Sequence, residues 1–192
     1  MCIRDRSKKP YVLMPNPFYQ IYGGATLLAG GISKQINLNE DNGFSLDLNS
    51  INENIWKKCQ IFVACSPSNP TGSVLKEDEI RKIIKLSRKY GFYIVSDECY
   101  IDIYRESKPK SFIEISYKQF RNFKNIVSLH SLSKRSNLPG FRSGMICGDK
   151  KLINNFKKYR SFHGVSIPLP IQIASAEAVS YTHLRAHETH SN

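Results

Sequence analysis

Short apolar segments alternate with segments of helical period along residues 8–178. Four apolar segments are rich in β-branched and aromatic residues, with apolar positions that are continuous rather than alternating: Ile61–Cys65, Phe92–Ser96, Asn125–Leu129 and Ser143–Cys147. Such continuity is typical of strands that are covered on both faces. The pattern therefore predicts an α/β fold, built from βα units around a largely parallel sheet.

The clearest predicted helix is Lys76–Tyr90. Acidic residues occupy its first turn and basic residues its last turn, which suits the helix dipole, and Gly91 provides a C-terminal stop. Apolar residues at helical spacing form one inward-facing stripe. Three further helices are predicted at Tyr19–Ala29, Leu48–Trp56 and Asp149–Phe162.

The composition is that of a globular protein. The 192 residues suffice for one domain with a buried core, and 41% of them are hydrophobic. No apolar run approaches the roughly 20 residues that cross a bilayer, and no secretion signal is recognisable. The five cysteines form an odd set without a CxxC pair, which favours a reducing compartment. We expect a cytoplasmic protein without a membrane partner.

The formal net charge of +12 raises nucleic acid as a partner. The basic residues are scattered along the chain, however, without a dense block or a basic stripe interleaved with aromatic residues. The sequence is also rich in Ile, Lys and Asn, so drift in nucleotide composition explains the charge at least as well. We expect no nucleic-acid partner, and a basic nucleic-acid-binding module remains the alternative from a different functional class.

The two ends differ in texture from the interior. Residues 1–7 and 179–192 resemble translated sequencing-adapter sequence, so we expect them to be non-native, which leaves 8–178 as the genuine segment. His183, His187 and His190 have the spacing of ligands on one helical face, but they fall in the second of these ends. We therefore expect no metal site.

Polar clusters follow three of the predicted strands. They are Ser66–Gly72, Asp97–Tyr100 and His130–Lys134. Because ligands bind at the carboxyl ends of the strands in such sheets, the three clusters should converge at one rim. His130 and His163 are interpreted as structural residues.

Lys134 is the candidate nucleophile of this rim, since a lysine can act as one where its surroundings favour the free amine. A cofactor with an electron-withdrawing pyridine ring needs such a lysine, a carboxylate for its ring nitrogen, donors for its phenolic oxygen, and donors with a cation for its phosphate. Asp97 could supply the carboxylate. The other candidates are Asn69 and Tyr100 for the phenolic oxygen, and Ser131, Ser133 and Arg142 for the phosphate.

Each of these residues also has a purely structural interpretation. Asn69 could shape a turn and Asp97 could cap the next helix. The tyrosines Tyr19, Tyr22 and Tyr100 could be core aromatics with a solvated hydroxyl. The serines could be ordinary loop hydroxyls and the arginine an ion-pair partner. Agreement among all the clusters, rather than any single residue, favours the cofactor.

Three motifs carry a family resemblance: SNPTG at 68–72, SDECY at 96–100 and SLSKRSNLPGFRSG at 131–144. In this order they resemble the signatures of fold type I aminotransferases that depend on pyridoxal 5'-phosphate (PLP). The segment at 15–31 is similar to the region that leads into them. The resemblance implies the central part of the large PLP-binding domain, a three-layer α/β/α structure with a mostly parallel sheet.

The resemblance also assigns a role to each candidate. It implies that Lys134 is the catalytic lysine that forms the imine with PLP and that Asp97 pairs with the ring nitrogen. It further implies that Tyr19 stacks on the ring. Binding of the phenolic oxygen falls to Asn69 and Tyr100, and binding of the phosphate to Ser131, Ser133 and Arg142.

Within the family, the segments at 16–22, 130–140 and 159–170 are most similar to bacterial N-succinyldiaminopimelate aminotransferases. This implies an amino-acid donor and 2-oxoglutarate as small-molecule substrates, lysine biosynthesis as the pathway, and a homodimeric parent enzyme. Another fold type I aminotransferase or a C–S lyase is the alternative. Family members are longer, so we expect a fragment that is inactive alone, without the N-terminal phosphate-binding segment and the arginine for the substrate carboxylate.

Overall fold

The centre of the fold is a six-stranded sheet with the strand order β2-β1-β3-β4-β5-β6. A computed structural model describes residues 9–164 and 166–180. The strands are β1 (Tyr11–Asn16), β2 (Ile32–Asn37), β3 (Cys59–Cys65), β4 (Tyr93–Asp97), β5 (Ile126–Ser131) and β6 (Gly144–Gly148). Neighbours from β2 to β5 are parallel, whereas β6 is antiparallel to β5. The prediction of a mostly parallel sheet is confirmed.

Seven helices connect and flank the strands within the described residues. They are α1 (Ile21–Leu28), α2 (Glu53–Lys58), α3 (Glu77–Tyr90), α4 (Phe112–Phe120), α5 (Leu132–Arg135), α6 (Lys150–Arg160) and α7 (Leu169–Ser180). At the start of α3 the Glu79 carboxylate accepts a 2.7 Å hydrogen bond from the Lys76 amide, and Gly91 ends the helix in the left-handed conformation. The sequence located this helix to within one residue.

The main core lies between the sheet and the helices α2, α3 and α4. The Trp56 ring stacks on Phe62 and Phe92, with ring centroids 6.2 and 5.5 Å apart. The α3 stripe of Ile80, Ile83 and Ile84 is fully buried against the same face. These contacts come from three separate chain segments, so burial of apolar surface holds the helical layer on the sheet.

The opposite face of the sheet is covered by α1 near β1 and β3, and by α6 near the other edge. Val12, Met14, Ile61 and Val63 pack with Phe18 and with Tyr22 of α1. Farther along, Leu152 and Phe156 of α6 face Val95 and Val127 across a groove of about 350 Å³. Helices on both faces confirm the three-layer prediction.

Several element predictions were wrong in detail. The helix predicted at Leu48–Trp56 begins only at Glu53, because the Asn52 side chain accepts a 2.8 Å hydrogen bond from the Asn54 amide and caps it there. Before it, Asp47 accepts from the Asn49 amide at 2.9 Å and closes a turn. The strand predicted at Ser143–Cys147 is β6, but it lies at the sheet edge and is largely exposed rather than covered on both faces.

Five elements were not predicted: β1, β2, α4, α5 and α7. Of the predicted end segments 1–7 and 179–192, residues 1–7 and 181–192, with His183, His187 and His190, lie outside the described residues, while Val179 and Ser180 belong to α7. Among the residues that the structure describes, no helix combines the length and apolarity needed to span a bilayer.

Candidate active site

A cavity of about 370 Å³ opens at the carboxyl ends of the parallel strands. All eight site residues predicted from the sequence line it: Tyr19, Asn69, Asp97, Tyr100, Ser131, Ser133, Lys134 and Arg142. Cys99 and Pro139 complete the lining. The residues come from chain segments that are far apart in sequence, so the parallel strands bring them to one rim as expected.

Asp97 is the last residue of β4, and both of its carboxylate oxygens are engaged. Tyr22 of α1 donates a 2.5 Å hydrogen bond to Oδ2, and the Cys99 amide donates to Oδ1 at 3.2 Å. Burial is the largest cause that raises the pKa of the Tyr22 hydroxyl far above its usual range, and the neighbouring Cys65 and Asp97 raise it further. The hydroxyl is therefore a permanent donor that orients the carboxylate.

Lys134 lies on α5, the short helix that directly follows β5. The Ser131 hydroxyl caps this helix by accepting a 3.2 Å hydrogen bond from the Ser133 amide, and the buried Leu132 anchors it. The Leu132 amide also donates to the Ser143 carbonyl oxygen at 3.1 Å. With its backbone held in this way, Lys134 extends into the cavity and places Nζ 5.5 Å from the centroid of the Tyr100 ring.

Hydroxyl groups and a guanidinium meet at one side of the cavity. Ser131 and Ser133 flank the start of α5, and Arg142 follows the 3-10 turn Pro139–Phe141. Arg142 has a φ of 50°, and its Nη1 donates a 2.7 Å hydrogen bond to the Pro139 carbonyl oxygen. Hydroxyl donors beside a forked cation are the groups that bind a phosphate.

A turn and an aromatic ring also line the cavity. The turn after β3 is closed by the Gly72 amide, which donates to the Ser68 carbonyl oxygen at 2.8 Å, and it presents Asn69 at the rim. The Tyr19 ring is 43% exposed and meets the Tyr22 ring edge to face at 5.8 Å. The partly exposed Tyr19 ring thus lines the same cavity as the Asp97 carboxylate.

Three residues near the cavity were not assigned to the site from the sequence. Tyr22 was treated only as a core aromatic. Cys99 lines the cavity two positions after Asp97. Burial is the main cause that raises the pKa of its thiol, and Asp97 raises it further. Asp102 pairs with Arg135 of α5 at 2.9 Å and with Lys108 at 2.7 Å, which ties α5 to the loop after β4. Long-range contacts of this kind have no local sequence signal.

A family model described as "Aminotransferase class I and II" matches residues 2–192. The chain belongs to the class I and II aminotransferase family. LL-diaminopimelate aminotransferases from Aquifex aeolicus and Halothermothrix orenii are each 34% identical to it, over 152 and 170 residues. The two alignments cover 78% and 88% of this chain but only 38% and 42% of those proteins.

Solved aminotransferase structures share the fold. An aminotransferase from Neisseria meningitidis superposes with a TM-score of 0.85 at 44% identity, covering 90% of this chain and 44% of that one. A probable N-succinyldiaminopimelate aminotransferase from Thermus thermophilus superposes with a TM-score of 0.83 at 26% identity, covering 93% and 47%. This class I and II aminotransferase chain thus spans less than half the length of these relatives.

Aminotransferases of this class and fold use PLP. The groups that line the cavity fit this cofactor: an amine, a carboxylate held by a tyrosine, an amide and a phenol, two hydroxyls with a guanidinium, and an aromatic face. The fit rests on the donor set and on its concentration in one cavity.

Proposed function

We propose that the cavity is the PLP site of an aminotransferase and that Lys134 is its catalytic lysine. The observation that carries the proposal is the meeting of Lys134, Asp97 and the Ser131–Ser133–Arg142 group in one cavity of about 370 Å³. A pocket of this size is typical of a small-molecule site.

PLP, when bound, supplies a protonated pyridine ring that withdraws electrons from the substrate α-carbon. Asp97 would hold the proton on the ring nitrogen, and the hydrogen bond from Tyr22 keeps the carboxylate in place for this task. Asn69 and Tyr100 would donate hydrogen bonds to the ring oxygen. Tyr19 would cover one face of the ring and exclude water from it.

Lys134 would have two roles. Its Nζ would hold the cofactor covalently, and its free amine would move a proton at the substrate α-carbon. Ser131, Ser133 and Arg142 would hold the phosphate through charge-assisted hydrogen bonds. Because Ser131 and Ser133 lie on the segment that carries Lys134, phosphate binding would also fix the lysine.

For the substrate, we propose an N-succinyldiaminopimelate-type amino donor in lysine biosynthesis, with 2-oxoglutarate as acceptor. Two similarities support it: the LL-diaminopimelate aminotransferases at 34% identity, and the N-succinyldiaminopimelate aminotransferase description of the Thermus neighbour. The homodimeric parent enzyme, the cytoplasmic location and the exclusion of nucleic acid stay predictions from the sequence.

A second candidate is an aminotransferase for a different amino group. A 4-dedimethylamino-4-oxo-anhydrotetracycline transaminase from Streptomyces rimosus is 40% identical over 114 residues, covering 59% of this chain. That identity exceeds the identity to the diaminopimelate enzymes, although over a shorter segment. The same cavity would serve either substrate, since it contains the cofactor groups.

Covalent trapping tests the proposed cofactor site. The chain is incubated with PLP, reduced with sodium borohydride and digested, and the labelled peptide is identified by mass spectrometry. We expect the label on Lys134 in the wild type and in a Lys118→Ala control on α4, and no label at this segment in Lys134→Ala. A label of equal yield on other lysines in all three proteins would refute the site.

A stoichiometric half-reaction tests the substrate. A full-length homologue loaded with PLP is mixed with N-succinyl-LL-diaminopimelate, LL-diaminopimelate or glutamate, and the pyridoxamine phosphate formed is quantified by chromatography. The first donor should give the fastest conversion. Equal or faster conversion with an unrelated amino donor would favour the second candidate.

A further inference from the structure

Four polar side chains are gathered on the sheet face opposite the cofactor cavity. Ser96 of β4 and Ser128 of β5 are register partners, and both are fully buried. Glu98 follows Ser96 by two positions and His130 follows Ser128 by two. Because side chains two positions apart share a face of a strand, these four lie together, while Asp97 and Ser131 face the cavity.

The Glu98 carboxylate connects three elements. Its Oε1 accepts hydrogen bonds from the Ser96 hydroxyl at 2.8 Å and from the Phe112 amide at the start of α4 at 3.0 Å. Its Oε2 has no hydrogen-bond partner among the described residues and lies 3.8 Å from Nε2 of His130. The His130 Nε2 is in turn 3.0 Å from the Ser128 hydroxyl.

A carboxylate that is only 1% exposed calls for a physical reason. Removing it from water is costly unless hydrogen bonds or an opposite charge compensate, and one oxygen here faces only the imidazole. A further titratable neighbour is Cys147 of β6, the register partner of Ser128. Burial is the main cause that raises the pKa of its thiol, and the Glu98 charge raises it further. Among the described residues, the basic group within 4 Å of Oε2 is the His130 imidazole.

Glu98 and His130 are each adjacent in sequence to a residue that lines the cofactor cavity. Glu98 directly follows Asp97, and its amide donates to the Leu129 carbonyl oxygen at 2.9 Å. His130 directly precedes Ser131, which caps the helix that carries Lys134. The contact between Glu98 and His130 therefore links the strand end that bears the carboxylate to the strand end that leads to the lysine.

We propose that Glu98 and His130 are positioning residues for the cofactor site, which hold Asp97 and the Ser131–Lys134 segment at a fixed separation from the far side of the sheet. This inference rests on the proposed function. Neither side chain reaches the cavity, so both act through their neighbours in the chain. Misplacement of a reactive group by about 1 Å is enough to impair a site strongly.

The test uses the full chain with the variants His130→Leu, His130→Gln and Glu98→Gln. His130→Leu removes the imidazole that lies 3.8 Å from Oε2 and 3.0 Å from the Ser128 hydroxyl, whereas His130→Gln keeps an amide donor. Ser87→Ala serves as a matched control. Ser87 is as buried as Glu98, and its hydroxyl donates a 2.6 Å hydrogen bond to the Phe92 carbonyl oxygen, far from the pair. Hydrogen–deuterium exchange of the chain without cofactor is followed peptide by peptide.

Local loosening is the expected signature. In His130→Leu and in Glu98→Gln, amides of 126–135 and 97–112 should exchange about tenfold faster, with α3 unchanged, because a buried polar group has lost its partner. His130→Gln should restore wild-type rates, and Ser87→Ala should loosen α3 only. PLP affinity, from absorbance titration, should fall about tenfold in His130→Leu and recover in His130→Gln.

The measurements distinguish failure of the positioning role from failure of the proposed function. Unchanged exchange in His130→Leu, or faster exchange spread evenly over the chain, would overturn the positioning role. So would wild-type PLP affinity in His130→Leu. Absence of borohydride labelling on Lys134 in the wild type would count against the proposed function instead, because the exchange measurement needs no cofactor.

Discussion

The hydroxyl of Tyr22 donates a 2.5 Å hydrogen bond to Oδ2 of Asp97, across 75 residues of sequence. It joins α1 to the end of β4, the strand end at the centre of the cavity. Tyr19 precedes Tyr22 on the same segment, and their rings meet edge to face. One hydrogen bond thereby sets both the direction of the carboxylate and the place of the exposed aromatic face.

Tyr22→Phe should weaken PLP binding while preserving the fold. Removal of a hydrogen bond to a charged group costs roughly 1.5–3 kcal/mol, so we expect the dissociation constant of PLP to rise about tenfold or more. Absorbance titration of the chain measures the change. Tyr117→Phe is the control, because Tyr117 lies on α4 and is half exposed. Equal affinities of the two variants would contradict the role of Tyr22.

Six of the eight cavity residues lie in the polar clusters that follow predicted strands, Arg142 lies in the same motif as Lys134, and Tyr19 came from the family resemblance. Tyr22 and Asp102 could not be predicted, because their significance depends on partners elsewhere in the fold. The partners of Tyr22 and Asp102 are Asp97 and Arg135. No spacing within either segment encodes these contacts; the sheet order creates them.

Predictions for the fold succeeded where local signals agreed. In α3 the acidic first turn, the apolar stripe and the terminal glycine all indicate the same helix. β2 has the sequence ISKQIN and lies at an edge of the sheet, so polar residues break the apolar run that marks a buried strand. The apolar residues of α7 do not form a single stripe, and Leu169 and Ile173 are both exposed. No helical period marks α7.

Cys99 should be alkylated slowly and be protected by PLP. Only the thiolate reacts, and burial followed by the Asp97 charge raises the pKa of this thiol, so few molecules carry a thiolate at about pH 7.5. Cys147, which is exposed, should react faster. Mass spectrometry after iodoacetamide treatment gives both rates, and saturating PLP should slow Cys99 alone. An unchanged Cys99 rate with PLP would argue against the cavity as the cofactor site.

Gly148→Ala should destabilise the junction of β5 and β6. Gly148 has a φ of 137°, and an added Cβ would lie 2.1 Å from the Ile126 carbonyl oxygen. Strain of this kind should lower the free energy of unfolding by about 2–3 kcal/mol. Gly24→Ala is the matched control, since it fills open space inside α1 and should stabilise by roughly 0.5–1 kcal/mol. Urea midpoints measure both, and equal midpoints would contradict the prediction.

Asp102 should make part of the stability dependent on pH. Burial raises its pKa, but the Lys108 and Arg135 cations outweigh this effect and hold the pKa below the ordinary value of 3.8. Since the folded pKa lies below the unfolded one, the stabilisation is complete above the unfolded pKa. It is lost as the pH falls through the folded pKa.

Asp102→Asn should therefore lower the free energy of unfolding by about 1 kcal/mol at pH 7, the upper range for partly exposed ion pairs. The difference from wild type should hold at pH 5 and shrink below about pH 4. Urea unfolding monitored by the fluorescence of Trp56, the only tryptophan of the sequence, measures it. Asp41→Asn, at an exposed turn, is the control and should show no such trend. If Asp102→Asn lowered the free energy of unfolding equally at pH 7 and pH 3, the ion pairs would be excluded as the cause of the loss.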